Sequence, residues 1–273
     1  MATLEHPVAS TATRQGGSGW TVVLVQELRD LWLGGRGIVL AFGFSLLIAL
    51  IAYLTATNTA LNFLEQRESV NLTIQVAVAV GGLLTLLAAA DAVSGERERG
   101  TLETLLLTPV SRRHVLIGKL LSALSLWLAA FLITVPYVWF LGRGVGIVRD
   151  ALVTGFVVGS LVACFLASIG LVISLFCNSN RVSLSVSLFL LLALFAPTQL
   201  PSGAQQGWAG DLLLRVNPIT AGEHYVGKVV TNGHAWSEDV SWLLAPACAA
   251  AVLLVVVPLF GVRFLRLTGG RAK

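Results

Sequence analysis

The ionisable side chains of this 273-residue sequence are densest in one stretch, 94–119. Glu96, Arg97, Glu98, Arg99 and Glu103 mix acid and base there, and Arg112, Arg113, His114 and Lys119 follow. Interleaved carboxylates and guanidiniums form ion pairs and fix the register of a protein contact. They do not make a nucleophile, and the other ingredients of catalysis are missing too. No Gly-x-x-x-x-Gly-Lys-Ser/Thr loop is present to cradle ATP phosphates, and no Gly-x-Ser-x-Gly elbow presents a serine. His6, His114, His224 and His234 are dispersed, and the spacing of the last two is not that of a metal site. Cys164, Cys177 and Cys248 form neither a CxxC pair nor an even-numbered framework and read as small packing residues. The expectation is a non-catalytic chain with no metal or cofactor of its own.

The stretch needs helices to position it. Leu102, Leu105 and Leu106 recur at helical spacing, which puts an apolar face opposite the charges. Pro109 cannot continue that helix, so the segment from Gly95 ends there. Ser111 reads as the N-cap of a new helix, and Lys119, in that helix's first turns, is expected to snorkel to the surface.

The rest of the chain is a solvent problem. It is 56% hydrophobic and 12% charged, where soluble domains carry about 25% charged residues. Six apolar stretches are long enough to cross a bilayer: 38–56, 74–93, 115–141, 151–177, 182–196 (extending towards Leu200) and 242–264. Stretches this long without alternation are helices rather than barrel strands. Of the 18 Lys and Arg residues, 13 fall on one side of these spans and only Arg67, Arg143, Arg149, Arg215 and Lys228 on the other. The bias places both termini and the loops around Glu98 and Arg181 in the cytoplasm. Scattered over several loops, the basic residues do not suggest a nucleic-acid partner despite a net charge of +4. The first 37 residues lack the pattern of a removable signal peptide.

Smaller features refine this. Trp20 to Leu33 carries Val23, Leu24, Leu28, Leu31 and Trp32 against Gln26, Arg29 and Asp30, which suits a helix lying along the interface or an extension of the first span. Met1 to Gly19 is expected to be disordered. Gly155-x-x-x-Gly159 allows close helix approach, and Pro136, Pro246 and Pro258 are expected kinks. Asn217-Pro218 reads as an N-cap and a helix-starting proline within the partly apolar loop 197–241. Asp91 is the main ionisable residue inside a span and is assigned to the interface or to a salt bridge with Arg97 or Arg99. Without mid-membrane acids, an ion-coupled carrier is disfavoured.

The order Glu96-x-Glu98-x-Gly100-Thr101-x-Glu103-x-Leu105-Leu106, then Thr108-Pro109-Val110 and Gly118-Lys119-Leu120-Leu121, closely resembles the signature of type-2 ATP-binding-cassette (ABC) exporter permeases, and it lies between spans two and three as in that family. The resemblance implies an all-α polytopic fold with six transmembrane helices. It divides the chain into a cytoplasmic segment with an elbow helix (1–37), a six-span domain (38–264) with coupling loop 94–119 and outer loop 197–241, and a cytoplasmic tail (265–273). It implies a non-enzymatic permease subunit of an exporter in the bacterial cytoplasmic membrane, paired with a second permease copy or homologue. Two ABC ATPase subunits would be its cytoplasmic partners, and these would bind ATP and Mg. Glu96, Glu98, Arg99, Gly100, Thr101 and Glu103 become the coupling residues: Gly100 permitting a turn, Thr101 capping the following helix, the charges pairing with the ATPase. The segment after span five is expected to fold back into the outer leaflet or remain an extracellular loop. The alternative is a membrane anchoring or assembly protein that docks an ATPase without a transport path. The spans themselves select no substrate.

Overall fold

A computed structural model describes residues 19–57, 63–107, 110–199 and 207–263. Among these the secondary structure is entirely helical. Helix α1 (Gly19–Leu28) runs into a π-helical turn, Arg29–Leu33, and a Gly34-Gly35 link leads to α2 (Arg36–Ala56). Then come α3 (Phe63–Glu98), the short α4 (Leu102–Leu106), α5 (Arg112–Gly142), α6 (Val148–Phe176) and α7 (Asn180–Phe195). Two short helices, α8 (Trp208–Val216) and α9 (Pro218–Val230), precede α10 (Leu244–Phe260). Six segments are long and apolar enough to span a membrane: Arg36–Ala56, Gln66–Glu98, Arg112–Gly142, Val148–Phe176, Asn180–Thr198 and Val240–Arg263. Their centres coincide with the six expected spans. Met1 to Ser18 and the tail 265–273 lie outside the described residues.

The second span departs most from expectation, since its helix begins at Phe63, well before Ile74. Its first turns are polar because other parts of the chain, not lipid, meet them. Gln66 donates to the Leu141 carbonyl (2.7 Å), Glu68 accepts from Thr231 (3.1 Å), and Asn71 is buried.

Apolar helices gain no hydrophobic energy by meeting each other in lipid, so small residues and close packing must hold them. The centre of the bundle, α3, α5 and α6, is built this way. Trp127 of α5 lies between Gly81 of α3 and Gly159 of α6; a Cβ on Gly159 would stand 2.1 Å from the indole and one on Gly81 2.9 Å. The indole Nε1 donates to Ser160 (3.1 Å), which satisfies its one polar atom. Gly155 faces Ile74 of α3, so the Gly155-x-x-x-Gly159 face meets both α3 and α5. These three spans are about half buried within the chain, whereas α2, α7 and the α10 segment are only 22, 22 and 17% buried.

Pro136 and Pro258 lie inside α5 and α10. Pro246 is different: it stands in the first turn of α10, where an interior hydrogen bond is not lost, so no kink follows from it. Opposite the charged stretch, Asn217 caps α9, accepting from the Ile219 amide (3.0 Å), and Pro218 opens the helix as its sequence suggested. Ile219, Ala221, Val226 and Val230 of α9 are buried, with Gly222 close against Val158 of α6. Lys228 and His234 both bind Asp239, at 2.7 and 2.8 Å, and hold its carboxyl below the usual range. His224 instead stacks on Trp242, so the two histidines of this end do not share a site. Burial pushes the Glu223 carboxyl up to about 7.

Candidate functional site

The charged stretch is split between two helices. Glu96, Arg97 and Glu98 occupy the last turn of α3 rather than a separate helix, which corrects the expected start of the coupling segment at Gly95. The helix ends because Gly100 turns the backbone to φ +71°. The Gly100 amide bonds the Arg97 carbonyl (3.2 Å) and the Thr101 amide the Glu96 carbonyl (3.0 Å), the paired pattern of a glycine-terminated helix. The Thr101 hydroxyl donates back to the Glu96 carbonyl (3.3 Å), which helps to close α3. In α4, Leu102 is buried in an apolar cluster with Val93, Leu116 and Leu175, while Glu103 and, just past the helix, Leu107 are exposed. The side chains of Leu105 and Leu106, and all of Pro109, lie outside the described residues. Ser111 caps α5 as expected, accepting from the His114 amide (3.4 Å).

Lys119 does not snorkel. Its side chain is 1% exposed, and its ammonium lies 2.6 Å from a carboxylate oxygen of Glu27 in α1 and 2.6 Å from one of Glu96 in α3. Snorkelling needs an open path to water, and α1 closes it. Gly118 lets α1 come so near α5 that a Cβ there would stand 2.7 Å from Val23, and Trp32 donates to Ser125 of α5 (3.1 Å). One buried cation thus joins three helices, and both carboxylates supply the counter-charge that its burial demands.

A second ion cluster adjoins the first. Asp91, buried in α3, accepts from Arg36 at the start of α2 (2.8 Å), and Arg99 stands 3.8 Å from its other oxygen. Arg99 was one of its two expected partners; Arg97 is committed elsewhere, donating to the Cys177 and Leu175 carbonyls at the end of α6. Glu98 accepts from the Asn180 amide (2.8 Å), holding the positive end of α7. Ser183 of α7 donates to the Ala90 carbonyl of α3 (2.8 Å).

Five of the charges in the stretch therefore face the protein itself: Glu96 and Lys119 bind each other, with Lys119 also reaching α1, Arg97 meets the end of α6, Glu98 the start of α7, and Arg99 Asp91. Gly100, Thr101 and Glu103 lie at the exposed turn beyond them. Reasoning from the sequence missed Glu27, Arg36 and Asn180. A lysine eight residues into an apolar helix needs a buried acid, but Asp91, Asp150 and Glu68 all lie nearer to it in sequence than Glu27, so spacing alone does not pick Glu27 out. Among the described residues no three His, Cys, Asp or Glu side chains gather as metal ligands. The arrangement is mechanical: an exposed helix of one turn stands on a floor where ion pairs lock α1, α3 and α5, with further ties to α2, α6 and α7.

A comparison with curated proteins gives no match. The family model described as ABC-2 family transporter protein matches residues 24–266, a range that starts within α1 and holds the ion clusters and all six spans. The chain therefore belongs to the ABC-2 transporter family, as a multi-pass membrane component of an ABC transporter.

Proposed function

We propose that this chain is the permease of an exporter, working with a second permease copy or homologue and two cytoplasmic ATPase subunits that bind ATP and Mg. The short α4 and the turn Gly100–Thr101 receive the ATPase, with Glu103 and Leu107 as the contacting side chains. Movement of α4 reaches the spans through Leu102 in the apolar floor and through the ties of Glu96, Arg97 and Glu98 to α5, α6 and α7. Substrate passes along the interface between the two permeases. The single observation that supports this reading is the Lys119 bridge, which ties α1, α3 and α5 together beneath α4. Membrane orientation follows from the Lys and Arg bias: the ion-cluster end is cytoplasmic, in a bacterial inner membrane.

The test is Glu103→Arg in the reconstituted complex. Insertion and assembly are expected to persist while transport-stimulated ATP hydrolysis is lost; full retention of that stimulation sinks the coupling assignment. Flux measured in the same vesicles separates a permease from an anchoring protein, which would bind an ATPase and move nothing. Flux that continues without ATP and collapses with an ion gradient would identify a carrier instead.

A further inference from the structure

Two cavities meet at Asp91. One, of about 120 Å³, is lined by Glu27, Asp30, Glu96, Arg99 and Lys119. The other is a groove of about 630 Å³, walled by Val39 and Leu40 of α2, Leu84 and Leu87 of α3, and Leu184 of α7. Arg36 and Asp91 line both, so an apolar groove among spans one, two and five ends in a polar chamber near the α4 end of the bundle. The chamber's lining holds four carboxylates (Glu27, Asp30, Asp91, Glu96) against three cations (Arg36, Arg99, Lys119). Two of its acceptors are left over: Asp91 Oδ1 and Glu96 Oε2 are buried without a hydrogen-bond partner. The Asp91 side chain is only 9% exposed, and Arg99, at 3.8 Å, is too far to hydrogen-bond its free oxygen. Buried acceptors of this kind call for N–H or O–H donors, and the excess of carboxylate favours a donor that is positively charged.

We propose that the joined cavities bind a membrane lipid whose head group carries a primary ammonium and a phosphate. The ammonium enters the chamber and donates to the carboxylates of Asp91 and Glu96 that line it, and an acyl chain lies along Val39, Leu84, Leu87 and Leu184. Arg36 takes the phosphate: one nitrogen holds Asp91, and the rest of its guanidinium, on a side chain 60% exposed, is free at the groove's mouth. A quaternary ammonium has no N–H to give these oxygens, and no aromatic ring lines either cavity to cage it. An anionic lipid meets the carboxylate excess with the wrong sign. Binding stands on the cavities alone; use of the site to load the transport path rests on the exporter reading above.

The test needs no ATPase. The purified full chain is analysed by native mass spectrometry after equilibration with equal amounts of phosphatidylethanolamine, phosphatidylcholine and phosphatidylglycerol. Retention of phosphatidylethanolamine is expected to exceed that of either competitor by about tenfold, the worth of one charge-assisted hydrogen bond. Asp91→Asn is expected to erase the preference. Leu87→Trp, which fills the groove and leaves every charge in place, is expected to remove bound lipid altogether and keeps the question open to refutation if Asp91→Asn does not fold. Equal retention of phosphatidylcholine, preference for phosphatidylglycerol, or undiminished binding in a folded Leu87→Trp protein overturns the proposal. So does displacement by dodecylamine as effective as by phosphatidylethanolamine, which would assign the site to free amines.

Discussion

Lys119→Met removes the one cation that α1, α3 and α5 share. The methionine fills nearly the same volume, so packing is kept and electrostatics is what changes. Glu27 and Glu96 are then left facing each other without their counter-ion. Breaking a buried pair by deleting one partner costs about 3–5 kcal/mol. Here the acids are 22% and 18% exposed and adjoin the polar chamber, so water relieves part of that. The lower end, about 3 kcal/mol, is the expected loss. Since α1 is otherwise held by neutral contacts such as Val23 over Gly118 and, through the turn that follows it, the Trp32 bond, the loss should fall first on its docking. Amide exchange in residues 19–28, measured in nanodiscs, is expected to accelerate about a hundredfold while the centre of α6 is unchanged. The triple variant Lys119→Met, Glu27→Gln, Glu96→Gln leaves no unpaired charge and is expected to recover most of the protection. Unchanged α1 exchange in the single variant, or no recovery in the triple, would refute the bridge as the clamp on α1.

Three other outcomes are expected. Gly159→Ala places a methyl where Trp127 already lies and should lower unfolding stability by about 1–3 kcal/mol, a loss that a smaller residue at Trp127 partly reverses. Glu98→Ala removes the acceptor from the Asn180 amide and should cost about 1 kcal/mol, read as faster exchange in the first turn of α7 with α6 unaffected. Glu223, raised from 4.5 to about 7 in the folded chain, favours folding while protonated; that stability is present below pH 4.5 and is lost as pH rises to about 7. Thermal unfolding should show wild type losing up to about 3 kcal/mol over this window and Glu223→Gln lacking that slope.

What was legible in the sequence was whatever depends on local composition. The six spans, the Ser111 cap and the Asn217-Pro218 start are set by runs and neighbours, and all are present. Features made by distant partners were not. Lys119 read as a snorkelling residue because nothing nearby in the chain announces that Glu27 will close over it, 92 positions away. The first turns of α3 read as loop because hydropathy cannot tell a polar residue facing water from one such as Gln66, which meets a carbonyl of another helix. The stretch 94–119 was identified by the order of its residues, yet its charges were assigned outward to a partner. Arg97 and Glu98 turn inward because the bundle's own helix ends, at α6 and α7, offer unmet backbone groups within reach, and Glu96 because the buried Lys119 draws it in.

The seat of Trp127 also bears on how the chain assembles. Spans emerge in order, so α3 and α5 enter the bilayer before α6 exists, and until then the indole has Gly81 on one side and lipid on the other. Its N–H finds Ser160 only when the fourth span arrives. The first three spans should therefore associate loosely, and tight closure waits for Gly159 to cover the ring. A chain halted before that point holds an unfinished bundle in which this indole nitrogen still lacks its acceptor.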